Sequence, residues 1–101
     1  MRLSEYEKDV IVSCAKDKFG ENTRVILFGS RTVDRRKGGD IDLLVKPGIH
    51  ASPEEMLQKK INMLIEIEQQ LGEQNIDLLL QMPGDNRTIV KTAEENGIAL
   101  C

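Results

Sequence analysis

The chain has no tryptophan, one tyrosine and two phenylalanines. That scarcity excludes a base-stacking platform for single-stranded nucleic acid, which needs successive aromatic faces. Its two cysteines, Cys14 and Cys101, are too few for a disulfide framework and lack metal-ligand spacing, so both read as reduced thiols of a cytoplasmic protein. No apolar run reaches 18 residues, and the opening "MRLSEYEKDV" has no signal-peptide core, so neither a membrane span nor secretion is expected. The net charge of −3 argues against nonspecific binding to a nucleic-acid backbone, and no direct nucleic-acid contact is expected. Repeats and low-complexity tracts are absent as well.

What is present fits one soluble domain spanning residues 1–101. A chain of this length buries roughly 60 to 70% of its unfolded surface, enough for a single modest core. "SEYE" and "SPEE" are capping boxes, Ser4 with Glu7 and Ser52 with Glu55, the second with Pro53 at the first helical position. They predict helices over about 4–18, with Tyr6, Val10, Cys14 and Ala15 inward, and over 53–71. In the second helix Leu57, Ile61, Leu64 and Leu71 form the stripe expected to face the core. Met56, Met63 and Ile67 form a neighbouring stripe, which either widens the packed face or serves self-association or a partner.

"RVILFG" (24–29), "DIDLLVK" (40–46) and "NIDLLLQ" (75–81) read as strands, with a short helical turn opening the polar stretch 30–37. Asp85 is expected to cap a last helix running to about Glu95, followed by a short extended "IALC". Two strands in direct succession, then helix, strand and helix, predict an α+β fold: a small mixed sheet with helices packed on it.

The strand at 40–46 carries two carboxylates where a small core gathers apolar residues. Asp40 and Asp42, at i and i+2, project to one face, while Ile41 and Leu43 take the other. Asp77 repeats the pattern in the next strand. If the two strands are neighbours, about 4.8 Å apart, three carboxylates converge on one patch. Like charges that close repel unless divalent cations hold them, and Mg²⁺ commonly shares carboxylates with substrate phosphates. Gly29 lets a phosphate approach the backbone, the Ser30 hydroxyl and nearby N–H groups can grip its oxygens, and Arg31 adds a cation. Singly, a Gly-Ser after a strand is an ordinary turn and an Asp-x-Asp a solvated strand end. Joined by nine residues and followed by a third strand acid, they point to nucleoside triphosphate chemistry. Arg35, Arg36 and Lys37 are a solvated loop or a steering patch, and His50 is a surface residue.

"LFGSR" (27–31), "GGDIDLLV" (38–45) and "NIDLLL" (75–80) resemble the minimal nucleotidyltransferase (MNT) family of the DNA polymerase beta-like superfamily, over essentially the whole chain. The resemblance implies the nucleotidyltransferase fold, with Gly29 and Ser30 anchoring the triphosphate. It also implies that Asp40 and Asp42 bind two Mg²⁺, with Asp77 completing the site and favouring deprotonation of the acceptor hydroxyl. The reaction implied is transfer of AMP from ATP to a hydroxyl of a partner protein. Family habit supplies a HEPN-domain toxin as that partner, the MNT protein being its antitoxin, with a homodimer or hetero-oligomer open. The alternatives are an antitoxin that neutralises its partner by stoichiometric binding alone, and nucleotidyl transfer to a small molecule.

Overall fold

The computed structural model describes residues 3–29 and 41–101, and the turn expected at 30–37 lies outside them. Among the described residues the chain forms α1 (Glu5–Phe19), β1 (Arg24–Phe28), β2 (Ile41–Lys46), α2 (Pro53–Leu71), β3 (Ile76–Leu80), α3 (Thr88–Asn96) and β4 (Ile98–Ala99). Their helices and mixed sheet form the α+β fold expected from the sequence.

Both capping boxes form. The Ser4 hydroxyl accepts from the Glu7 N–H at 3.1 Å, and Glu7 Oε1 accepts from the Ser4 N–H at 2.9 Å. Ser52 and Glu55 repeat the exchange at 3.1 and 3.2 Å. α1 buries Val10, Ile11, Cys14, Ala15 and Phe19, but Tyr6 is exposed, contrary to expectation. Ile11 and Phe19 rotate the buried arc away from Tyr6, which lies about 130° from its centre at 100° per residue.

The strand order is β3-β2-β1-β4, with β1 antiparallel to both β2 and β4, and β2 parallel to β3. A parallel pair cannot be joined by a tight turn, and α2 provides the crossover. Side-chain alternation splits the sheet between two apolar clusters. Val25, Leu27, Ile41, Leu43, Val45 and Leu78 pack with α1 and α2. Leu44, Ile26, Phe28 and Leu79 face Val90 and Ala93 of α3 on the opposite side. β4 pairs Ala99 with Ile26, and Gly97 makes the close approach possible: a Cβ there would stand 2.9 Å from the Leu27 carbonyl oxygen of β1.

α2 is rotated from the orientation expected: the neighbouring stripe is the more deeply packed one, Leu64 and Leu71 still pack against the core, and Leu57 and Ile61 turn out. Met56, Met63 and Ile67 are buried, whereas Leu57 is 55% and Ile61 41% exposed, with Leu64 and Leu71 half-buried. α1 engages one flank of α2 in this rotation. Lys18 pairs with Glu66 at 3.0 Å, and Gln70 Nε2 donates to Cys14 Sγ at 3.9 Å. With that flank against α1, the 56/63/67 stripe points into the core and the 57/61 stripe turns out.

α3 also starts later than expected. Arg87 takes the cap position without a side-chain cap bond, and Asp85 organises the turn before it. The Asp85 carboxylate accepts from the Arg87 backbone N–H at 3.1 Å and from its guanidinium at 2.6 and 2.9 Å.

Candidate active site

Asp42 and Asp77 are the second residues of β2 and β3, and the parallel register makes them direct partners. Parallel neighbours in register project to one face of the sheet, at Cα separations of about 4.8 Å. That face is the one α3 packs on two residues further along, where Leu44 partners Leu79. Asp42 is half-buried and Asp77 exposed, so the acidic end of the face opens to solvent. Its register is held from upstream by the Ile41 N–H, which donates to the Asn75 carbonyl at 2.9 Å.

On the other flank β1 ends against the same acid. Phe28 is the antiparallel partner of Asp42, and Gly29 follows at φ +77°. A Cβ at Gly29 would collide with the Asp42 carboxylate, standing 3.0 Å from its Cγ. This glycine therefore borders the acid directly, a closeness that depends on the β1–β2 pairing and is invisible in "LFGS" read alone. Phe28, whose partnership places Asp42 beside the end of β1, is likewise absent from the sequence reading; its only signal is the position where the apolar run stops.

The structure thus brings Gly29, Asp42 and Asp77 together across three adjacent strands. Ser30, Arg31 and Asp40, together with Arg35, Arg36 and Lys37, fall outside the described residues. Among the described residues no group of three or more His, Cys, Asp or Glu side chains is placed to hold a metal ion. Two of the three expected acids are described, and as adjacent hard oxygen donors they suit Mg²⁺, which binds through one or two carboxylates and keeps the remainder of its shell for water and phosphate.

The other titratable groups lie elsewhere. Lys46, at the far end of β2, pairs with Glu94 of α3. His50 is exposed and lines a hollow of about 290 Å³ with Lys46, Gln81 and Met82, beyond the opposite ends of the strands. Cys14 is buried under α2. Burial, and then the nearby Glu66 carboxylate, push its thiol up to about 11, so it is no nucleophile near neutrality. No helix among the described residues is long and apolar enough to cross a membrane.

Comparison with known proteins bears on the fold and the family. Over 98% of this chain and 72% of the other, the fold resembles that in a complex of a tri-AMPylated Shewanella oneidensis HEPN toxin with an MNT antitoxin, with a TM-score of 0.68 at 15% identity. No curated protein matches the sequence. Residues 8–100 match the model of the nucleotidyltransferase domain, and the chain belongs to that family.

Proposed function

We propose that this chain, read as a single minimal domain, is an antitoxin that transfers AMP from ATP to a hydroxyl of a HEPN-domain partner protein. The observation that carries the reading is the in-register pair Asp42 and Asp77, opening to solvent beside Gly29. Membership of the nucleotidyltransferase family supports the reaction class. The choice of AMP and of a HEPN partner draws on the likeness to the Shewanella oneidensis complex, whose toxin carries three AMP groups.

In the proposed reaction the acceptor oxygen forms a bond to the α-phosphorus. The bond from that phosphorus to the pyrophosphate oxygen breaks, and pyrophosphate leaves. Asp42, half-buried and paired in register with Phe28 on one side and Asp77 on the other, is the central acid of the site, and Asp40 is its proposed companion two residues upstream. Asp77, on the exposed side, receives the hydroxyl proton and completes the metal set. Gly29 and Ser30 anchor the triphosphate, and Arg31 adds positive charge. Asp42 and Asp77, with Asp40, would hold Mg²⁺, which when bound would neutralise phosphate charge and polarise the phosphoryl group.

Intact-mass spectrometry of a HEPN partner incubated with the chain, ATP and Mg²⁺ tests this. The expected result is an AMP increment that disappears with Asp42→Asn. Neutralisation of the partner by wild type with no increment would replace the reading with stoichiometric binding.

A further inference from the structure

We propose that a second copy of this chain covers the apolar crease between α2 and β3, related to the first by a two-fold axis passing near Leu64. Leu57, Ile61 and Ile65 recur every four residues on one side of α2, and are 55%, 41% and 49% exposed. Contiguous exposed apolar surface of this kind marks a contact. Beside it, β3 ends the sheet, with no strand beyond it among the described residues, and such edges are ordinarily covered.

The crease has a polarity that selects its occupant. Towards the start of α2 lies a hollow of about 270 Å³ bordered by Leu57, Leu80, Met82, Lys60 and Arg87; Arg87 is already paired with Asp85, so the cation it offers is Lys60. Towards the end of α2 lies a second, of about 240 Å³, lined by Ile61, Leu64, Ile65, Gln74, Ile76 and Glu68, whose charged group is a carboxylate. Neither Lys60 nor Glu68 has an ion-pair partner among the described residues. They stand eight residues apart, about 12 Å along the helix axis. An antiparallel two-fold pairing centred near Leu64 sets Lys60 of each copy against Glu68 of the other, while the apolar stripes meet between them. A parallel pairing sets lysine against lysine and glutamate against glutamate. The surface is therefore complementary to itself in one orientation, the property of an isologous dimer interface.

The acids Asp42 and Asp77 project from the sheet face that carries α3, whereas α2 packs on the other. The pairing thus contributes no residue to the proposed reaction, and the hollow at the start of α2 reaches around the β3 edge only as far as Leu79 and Arg87.

Sedimentation equilibrium of the full chain tests the proposal on wild type, Lys60→Glu, Glu68→Lys, the double charge swap and Ile61→Asp. Circular dichroism confirms that each variant is folded. Wild type is expected to dimerise, each single charge change to weaken the dimer by roughly tenfold, and the double swap to restore most of that loss. Ile61→Asp, at an exposed position, keeps the fold and is expected to yield monomer. A wild type that stays monomeric to about 0.1 mM, associates only with a different protein, or gives a double swap no better than the singles overturns the proposal.

Discussion

Gly29 and Asp42 touch across the β1–β2 pairing: the glycine, at φ +77°, occupies the one backbone conformation and the one side-chain size that leave the carboxylate where β2 puts it. Gly29→Ala combines backbone strain with collision against the acid. Gly29→Asn separates the two, because asparagine tolerates the left-handed region yet still carries a Cβ. Both variants are expected to weaken Mn²⁺ binding by about tenfold or more, read by electron paramagnetic resonance, the threshold corresponding to about 1.4 kcal/mol. Thermal stability is expected to fall further for alanine than for asparagine. Wild-type Mn²⁺ affinity in Gly29→Asn would mean that Asp42 does not depend on this contact.

The rotation of α2 makes a contrast that chemical denaturation can read. Met63 is fully buried, and Met63→Ala is expected to cost about 2–5 kcal/mol. Leu57 is mostly exposed, and Leu57→Ala is expected to stay within about 0.5 kcal/mol in the monomer. The opposite ranking would restore the orientation expected from the sequence.

Asp85 gives the fold an acid dependence. The Arg87 guanidinium and backbone N–H hold its carboxyl down at about 2, from an ordinary 3.8. A depressed carboxyl pKa stabilises the folded state fully above the ordinary value, and the contribution is lost as pH falls through about 2. Asp85→Asn is expected to lower the melting temperature by a few degrees at neutral pH. Below pH 2 the variant and wild type are expected to converge.

Cys14 gives a dependence at the other end of the scale. Its raised thiol pKa binds a proton more tightly in the folded state, so stability is expected to decline as pH rises from 9 to about 11. A thiol reagent at neutral pH is expected to modify Cys101, which is half-buried, well before Cys14; unfolding exposes both. Equal rates in the folded protein would contradict the burial of Cys14.

The parts of this fold legible in the sequence are those encoded locally. Capping boxes are four-residue signals, and they place the starts of α1 and α2 where Ser4 and Ser52 stand. Alternation along "DIDLLV" and "NIDLLL" identifies which residues share a face with the acids. What the sequence leaves open is decided by contacts distant in the chain. Both apolar stripes of α2 satisfy helical spacing, and the choice between them shows in contacts with α1, among them Lys18 with Glu66 and Cys14 with Gln70, that are distant in the chain. The pairing of Asp42 with Asp77 needs the register set by Ile41 and Asn75. Asp85 resembles a helix cap in sequence, but the arginine two residues on captures it.

A double-mutant cycle on Mn²⁺ affinity tests most directly whether Asp42 and Asp77 hold one ion between them. Asp42→Asn and Asp77→Asn are each expected to weaken binding by about tenfold or more, and the double variant to be scarcely worse than either, since ligands of one ion act as a unit. Losses that simply add, or single variants that bind as wild type does, would contradict a shared site.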